Sequence, residues 1–166
     1  SFIPQISSQG SNVYVVWEEF DDDDIFFARS TDGGEIFSEP FNISNSTGFS
    51  LNPQISSQGN NVYVVWEEFD DDEIFFATST DGGLTFSTKN LSNTTANSFD
   101  PQISSEGNNV YVVWQDKTAN LVNDDIFFAR STDGGQTFST PPDDISNSTG
   151  TSANPQISST SDIQQQ

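Results

Sequence analysis

An internal repeat of about fifty residues constrains this sequence more than any other feature. The segment Pro-Gln-Ile-Ser-Ser begins at Pro4, Pro53, Pro101 and Pro155, in steps of 49, 48 and 54 residues. The segments Asn-Val-Tyr-Val-Val-Trp and Ile-Phe-Phe-Ala each occur once in every one of the first three units. Because self-similarity at a fixed period is typical of repeat architectures, we expect an array of similar structural units.

Each unit is predicted to contain four short strands. In the second unit, the β-branched and aromatic run from Val62 to Trp66 favours a strand, and Ile74 to Ala77 favours the next one. The apolar residues of both runs are consecutive, which indicates burial on both faces. A weaker segment from Phe86 to Leu91 would be the outer strand. No helical period is present, and Gly, Asn, Asp and Pro interrupt the chain every few residues.

A buried four-stranded unit of this length matches a propeller blade. A β-solenoid is the alternative, although its coils usually repeat every 20 to 30 residues or so. The predicted fold is therefore all-β, a β-propeller-like array of three four-stranded antiparallel blades plus one extra terminal strand. Residues 1–166 form a single repeat domain, with blades at about 1–49, 50–98 and 99–152 and the extra strand at 153–166.

A Ser-Thr-Asp-Gly-Gly turn follows the third strand of every unit and contains Asp32, Asp81 and Asp133. These turns resemble the Asp-boxes of sialidase-type (BNR repeat) β-propellers, and the resemblance covers nearly the whole chain. It implies a structural turn between the third and fourth strands. The Asp would accept hydrogen bonds from turn amides, and the aromatic ring that follows would pack between blades. Because Ile36 replaces the Thr of the other two copies, one hydrogen bond of the first turn should be weakened without a change of fold.

The catalytic groups of sialidases are not matched. Sialidases bind the substrate carboxylate with three arginines and use a Tyr with a Glu partner as nucleophile and an Asp as acid/base. This sequence has Arg29 and Arg130, each directly before an Asp-box, and its tyrosines Tyr14, Tyr63 and Tyr111 share one repeated strand position. A catalytic site needs different residues converging from different blades. We therefore expect no enzymatic activity and no catalytic residues.

The composition excludes several other functions. The chain has 25 acidic residues against 4 Lys plus Arg, a formal net charge of −21, and neither His nor Cys. Without His or Cys there is no imidazole base, no thiolate nucleophile and no zinc site with nitrogen and sulfur ligands. The negative charge disfavours nucleic acids and anionic membrane surfaces. No apolar run approaches the roughly 18 residues of a spanning segment, so membrane insertion is not expected.

The acidic residues concentrate in the loop between the second and third strands, and all three loops would open on the same side of a propeller. Ca²⁺, which binds carboxylate and carbonyl oxygens, would neutralise this charge and is the one cofactor considered. The alternative is a solvated acidic face that keeps the protein soluble. The tentative calcium ligands are Asp21, Asp22, Asp23, Asp24, Asp70, Asp71, Asp72, Glu73, Asp124 and Asp125.

Five Asn-x-Ser/Thr sequons lie between an Asp-box and the next Pro-Gln-Ile-Ser segment. A polar turn at the outer edge of a blade is accessible to a glycosyltransferase, so N-linked glycans are expected if the chain is secreted. The predicted glycosylation sites are Asn42, Asn45, Asn90, Asn93 and Asn147.

Three complete units are followed by a fourth Pro-Gln-Ile-Ser-Ser that lacks a second strand. Closed propellers typically have four to eight blades, so three blades should leave apolar faces open at both ends. Two copies could close a six-bladed ring, or head-to-tail contacts could extend into a filament, with the terminal strand donated to the neighbour. The chain could also be an excerpt of a longer protein.

The leading hypothesis is an extracellular structural protein, secreted or on the cell surface. Its partner would be a second copy of itself, and its open repeat ends would assemble into a filament or surface array. The alternative is a carbohydrate- or ligand-binding propeller domain of a larger cell-surface protein.

Overall fold

The structure is a computed structural model that describes residues 2–117 and 123–159. Within these residues it contains twelve strands and no helix. The strands are β1 (Phe2–Gln9), β2 (Asn12–Glu19), β3 (Asp24–Ser30), β4 (Phe41–Asn42), β5 (Ser50–Gln58), β6 (Asn61–Glu68), β7 (Glu73–Ser79), β8 (Ser87–Asn90), β9 (Ser98–Glu106), β10 (Asn109–Lys117), β11 (Asp124–Ser131) and β12 (Asp143–Asp144). No described segment could cross a membrane as a helix.

The strands form three antiparallel four-stranded sheets, in which each strand pairs with its neighbours in the chain. We call them blade 1 (β1–β4), blade 2 (β5–β8) and blade 3 (β9–β12). The predicted all-β blade architecture is confirmed. The outer strands are short, four residues in β8 and two in β4 and β12, and β9 begins one residue before the predicted start of blade 3.

Two apolar cores hold the blades together. Tyr14, Val16 and Phe27 of blade 1 pack against Val64 and Trp66 of blade 2, and together they belong to what we call the first interblade core. Every residue of β6 from Val62 to Glu68 is buried. The consecutive apolar pattern predicts this burial for Val62 to Trp66.

The second interblade core lies on the other side of blade 2. Tyr63, Val65 and Phe76 of that blade pack there against Val112 and Trp114 of blade 3. Blade 2 therefore alternates its side chains between two neighbours, which explains why its central strands carry no polar face.

The innermost strands of neighbouring blades lie side by side and are joined by serine pairs. The hydroxyl oxygens of Ser7 and Ser57 are 2.7 Å apart, and those of Ser56 and Ser105 are also 2.7 Å apart. These pairs repeat the same contact from blade 1 to blade 2 and from blade 2 to blade 3.

The serine contact continues beyond blade 3. Ser104 Oγ lies 2.7 Å from Ser159 Oγ, which also donates to the Ser105 carbonyl at 2.9 Å. Residues 155–159 thus occupy the position of a fourth innermost strand. Residues 153–159 form no sheet ladder of their own, because no second strand lies beside them in the described chain. The remainder of the predicted extra strand, 160–166, lies outside the described residues.

Candidate functional site

The Asp-box turns have the hydrogen bonding that the sequence predicts. In blade 2, Asp81 Oδ1 accepts from the Ser79 hydroxyl at 2.7 Å and from the Thr85 amide at 3.0 Å, and the Thr85 hydroxyl donates to Oδ2 at 2.7 Å. These donors hold the pKa of Asp81 far below its ordinary value, with the Thr85 hydroxyl as the largest cause. The equivalent bond from Thr137 holds the pKa of Asp133 at about 2.

In the first Asp-box the hydrogen bond that was predicted to be weakened is absent, and the turn is unchanged. Asp32 Oδ1 accepts from the Ser30 hydroxyl at 2.5 Å and from the Ile36 amide at 3.0 Å, but Ile36 has no hydroxyl to offer Oδ2. The pKa of Asp32 is still lowered, mainly by Ser30. The turn therefore keeps its shape with one donor fewer.

The glycines and rings of these turns make the contacts between blades. A Cβ atom on Gly83 would lie 2.5 Å from Phe27 Cζ, so only a glycine lets the turn of blade 2 approach the ring of blade 1. Phe86 from the same turn packs edge-on against Phe27 at 4.9 Å between ring centroids. In the second core Phe138 packs on Phe76 in the same way, also at 4.9 Å.

The tyrosines and arginines of the sequence occupy repeated blade positions, and Tyr14 and Tyr63 belong to the two interblade cores. Tyr14 and Tyr63 are 1% and 0% exposed, and burial raises the pKa of both phenols. Arg29 crosses to blade 2, where its Nη1 donates to the Gly82 carbonyl at 2.8 Å. Arg130, at the equivalent position of blade 3, is exposed. Arg29 and Arg130 therefore occupy repeated blade positions.

Three of the tentative calcium ligands have structural partners. Asp24 accepts from the Asn42 amide and the Ser44 hydroxyl, both at 2.5 Å, and from the Ser46 amide at 3.0 Å. Each acid that begins a third strand thus anchors the sequon turn of its own blade. The equivalents are Glu73, which accepts from Ser92 and Thr94, and Asp125, which accepts from Ser146 and Ser148.

Other carboxylates of the acidic loops link neighbouring blades. Glu67 accepts from the Asn52 side-chain amide at 2.8 Å and from the Asp100 backbone amide at 2.6 Å. Burial raises the pKa of Glu67, and burial likewise raises that of Glu73. Sequence reasoning missed these roles. The signal that could have revealed them is that Glu67 directly continues the consecutive apolar run that ends at Trp66.

The exposed acids of the loops do not converge. Asp21, Asp22 and residues 70–72 are exposed. Across residues 2–117 and 123–159 no group of three or more acidic side chains is arranged to hold a metal ion. Calcium binding stays a prediction, and the ligand geometry that would support it is not seen in this part of the chain.

The five sequons fall into two structural classes. Asn45, Asn93 and Asn147 are exposed at the tips of equivalent turns and have positive φ angles of 46°, 45° and 39°. Asn42 differs because its side-chain nitrogen, the atom that would carry a glycan, donates to Asp24. Asn90 Oδ1 accepts from the Asn93 backbone amide at 2.9 Å, and this bond closes the turn that carries Asn93 at its tip.

The side of blade 1 that points away from blade 2 is an apolar surface that we call the leading face. It consists of Val13, Val15, Trp17, Ala28 and Phe37, most of which line one shallow groove. Phe37 is 42% exposed, because no blade of the described chain precedes its turn. The corresponding residues of blade 2 are Val62, Val64, Trp66, Ala77 and Phe86, which pack in or against the first interblade core.

The side of blade 3 that points away from blade 2 is a second uncovered surface, the trailing face. It consists of Tyr111, Phe128, Arg130 and Asp143, together with Val113, which is buried. The rings of Tyr111 and Phe128 stack at 6.3 Å, as Tyr14 stacks on Phe27 at 6.1 Å within blade 1. The trailing face therefore repeats the Tyr–Phe pair with which blade 1 contacts blade 2, whereas Asp143 stands where blade 1 has Phe41.

Comparisons with known proteins identify the fold. No family model and no curated protein matches the sequence. Among solved structures, the chain is similar to an α-L-arabinofuranosidase from Fusarium graminearum, with a TM-score of 0.59 and 14% identity over 82% of this chain and 46% of that one. A Hadza microbial sialidase matches with a TM-score of 0.59 and 14% identity, over 82% and 36%.

A third match is YCF48 bound to a peptide, with a TM-score of 0.57 and 17% identity over 81% of this chain and 38% of that one. The chain therefore spans about half the length of these structures or less. Identities this low show the fold alone, and that fold is a sialidase-like β-propeller.

Proposed function

We propose that this protein is an extracellular, non-catalytic structural protein whose copies associate head to tail. The leading face of one copy would pack on the trailing face of the next. The observation that carries this proposal is the repetition of one interface. The same pair of faces is already joined twice within the chain, at the first and second interblade cores, and one face of each kind is left uncovered.

The two uncovered faces are chemically complementary. At the first interblade core, the ring of Phe27 receives Gly83 and Phe86, and Arg29 binds the Gly82 carbonyl. Between copies, the ring of Phe128 would receive Gly34 and Phe37 of the neighbour. Arg130, exposed on the trailing face, would reach the Gly33 carbonyl as Arg29 reaches Gly82.

Burial of apolar surface would drive this association. Fully burying a large aliphatic or aromatic side chain contributes about 1.5 to 3 kcal/mol. Val15, Trp17 and Phe37 on one side and Tyr111 and Phe128 on the other are only partly buried in the single chain. Contiguous exposed surface of this kind marks an interaction site.

The same head-to-tail contact can produce either of two assemblies, depending on the rotation between neighbouring copies. A heterologous contact closes into a ring if the rotation completes a turn, and otherwise extends as a filament. Two copies would form a six-bladed ring, while longer series would form a filament or surface array.

The non-catalytic part of the proposal is supported by the use of the ionisable groups. Tyr14 and Tyr63 are buried and Arg29 binds a backbone carbonyl, so these groups are engaged in packing. N-linked glycans would sit on Asn45, Asn93 and Asn147. These residues lie on turn tips outside both faces, so glycosylation would leave association unhindered.

A charged substitution on the leading face tests the proposal. Phe37→Asp should abolish association, because it places a carboxylate where the ring would be buried. Leu84→Asp is the matched control: Leu84 is 59% exposed on the Asp-box of blade 2 and belongs to neither end face. Light scattering should show that only Phe37→Asp reduces the mass. Equal behaviour of the two variants would contradict the proposal.

A second candidate function, ligand binding, is favoured by one observation. Phe20 and Phe69 are 69% and 60% exposed at the tips of the acidic loops. Each is supported by a neighbouring ring, Phe2 at 5.8 Å and Phe49 at 6.5 Å. Exposed rings beside carboxylates suit a carbohydrate with apolar faces and hydroxyl groups. Glycan-array binding lost in Phe20→Ser and Phe69→Ser variants would support this role.

A further inference from the structure

We propose that association occurs with exchange of a strand: residues 154–159 of one copy replace the first strand, β1, of the next copy. This inference rests on the head-to-tail association proposed above and specifies its partner as a segment of a second copy. The donated segment would complete the sheet of the recipient's blade 1 by pairing with β2, as β1 does in the single chain.

The donor segment is identical to the strand it would replace. Residues 155–159 and residues 4–8 both read Pro-Gln-Ile-Ser-Ser. In the single chain the donor segment already lies beside β9 through the contact between Ser104 and Ser159. This is the position that the innermost strand of a following blade would occupy. A docking copy that kept its own β1 would have to place it there, so the two segments compete for one site.

The residue before the proline favours the donor over β1. It has a positive φ in all four copies: 48° at Ile3, 52° at Asn52, 51° at Asp100 and 56° at Asn154. Asn and Asp accept this left-handed conformation readily, whereas a β-branched residue such as Ile is strained in it. Exchange would put Asn154 where Ile3 stands and relieve that strain in the assembled state.

The donor also restores a hydrogen bond that blade 1 cannot make for itself. In blade 2 the side-chain amide of Asn52 donates to Glu67 at 2.8 Å, from the innermost strand to the second strand. The corresponding residues of blade 1 are Ile3 and Glu18. Ile3 has no side-chain amide, whereas the side-chain amide of Asn154 in its place would donate to Glu18. The exchanged blade 1 would therefore match blade 2.

Disulfide trapping distinguishes exchange from simple docking, because the chain has no native cysteine. In exchanged copies residue 159 of the donor would face Val13 of the recipient, as Ser8 faces Val13 in the single chain. A mixture of the single variants Ser159→Cys and Val13→Cys should form a 13–159 disulfide on mild oxidation. In docking without exchange, Ser8 of one copy would instead meet Ser104 of the other, since Ser57 meets Ser7 in the same way.

The mixture of Ser8→Cys and Ser104→Cys is therefore the matched control. A 13–159 link without an 8–104 link supports exchange. An 8–104 link alone overturns exchange and leaves head-to-tail association intact. The absence of both links, together with a monomeric mass, overturns both proposals.

Ile3→Asn tests the strain argument through the yield of the same 13–159 disulfide. It gives β1 the same residue as the donor, and should lower the yield of the 13–159 link roughly tenfold, the effect of removing one strained conformation. Asn154→Ala should lower that yield as well. An unchanged yield in Ile3→Asn, with the fold intact by circular dichroism, would overturn the inference.

Discussion

The two interblade cores bury the same residue types but satisfy their polar groups differently. At the first core, Arg29 on the third strand donates to the Gly82 carbonyl at 2.8 Å. Blade 2 has Thr78 at that position. There the cation comes from the fourth strand, where Lys89 donates to the Gly135 and Gln136 carbonyls at 2.7 and 2.9 Å.

In the described part of the chain, the second core leaves two buried hydroxyl groups unpartnered. Among the described residues, the buried oxygens Tyr63 Oη and Thr78 Oγ1 have no hydrogen-bond partner. Lys89 lies over the rings of Phe76 and Phe138, at 5.4 and 4.9 Å from their centroids. Burial lowers the pKa of Lys89. At both cores a cation of the preceding blade binds carbonyls of the Asp-box turn, and the third strand supplies it in one case and the fourth strand in the other.

The largest loss of stability should come from adding a methyl group where the glycine of one blade contacts the aromatic ring of the next. Gly83→Ala and Gly135→Ala should each lower the free energy of unfolding by about 3 kcal/mol, because a Cβ would lie 2.5 Å from Phe27 Cζ or 2.7 Å from Phe76 Cζ in a left-handed residue. Urea denaturation measures this. Gly59→Ala, with the same backbone strain and no atom within 4 Å of its Cβ, should cost about 1 kcal/mol. Equal losses in all three variants would show that the ring contacts do not matter.

Replacement of Lys89, the cation of the second core, should have the next largest effect on stability. Lys89→Met keeps the apolar stem but removes two hydrogen bonds to carbonyls and the contact with both rings, and should lower stability by about 2 kcal/mol. Lys117→Met is the control, since Lys117 lies over the single ring of Phe99 at 5.6 Å, and should cost less than about 1 kcal/mol. If both variants lost the same stability, the comparison of the cores would fail.

Giving the second core the arginine of the first should be stabilising. In the Thr78→Arg variant the new guanidinium would reach the Gly134 carbonyl, and the unpartnered hydroxyl would be removed. The free energy of unfolding should therefore rise by about 1 kcal/mol. The reverse change, Arg29→Thr, should lower it by about 1 to 2 kcal/mol. Calorimetry of the two variants should therefore give shifts of opposite sign, and shifts of the same sign would contradict this explanation.

The smallest expected effect is a pH dependence of stability that comes from Glu67 of blade 2. Blade 3 has an amide, Gln115, at the equivalent position. Burial raises the pKa of Glu67 above 4.5, so the native state binds this proton more tightly than the unfolded state does. Stability should therefore fall as pH rises through the native pKa. Glu67→Gln, the residue that blade 3 carries as Gln115, should weaken that fall. Urea midpoints at pH 4 and pH 7 measure it, and an unchanged difference between them would exclude Glu67 as its source.

Much of the fold could be predicted because the repeat fixes equivalent residues. The consecutive apolar run ending at Trp66 indicated burial on both faces, and Ile36 indicated weaker hydrogen bonding in one turn, where the structure shows that the bond is absent. The roles of the acids could not be predicted this way. Asp24 and Asp22 look alike in sequence, but only Asp24 begins a strand where turn amides and hydroxyls meet it.

The candidate interaction faces were predicted only in outline. The sequence indicated open ends, and the repeat alignment places Ile3 and Asn154 at equivalent positions, but the strain that distinguishes them is visible only in their positive φ angles. Lys89 is a different case, because it takes the place of an arginine on another strand. That substitution does not appear in the repeat alignment, since it depends on where the side chain reaches the next blade.

Sedimentation velocity over a concentration series tests the central claim of head-to-tail association most directly. The account predicts that the 18.2 kDa chain is replaced, as its concentration rises, by species of at least twice that mass, and that Phe37→Asp remains monomeric. A single 18.2 kDa species from low micromolar to near-millimolar concentration would contradict the account.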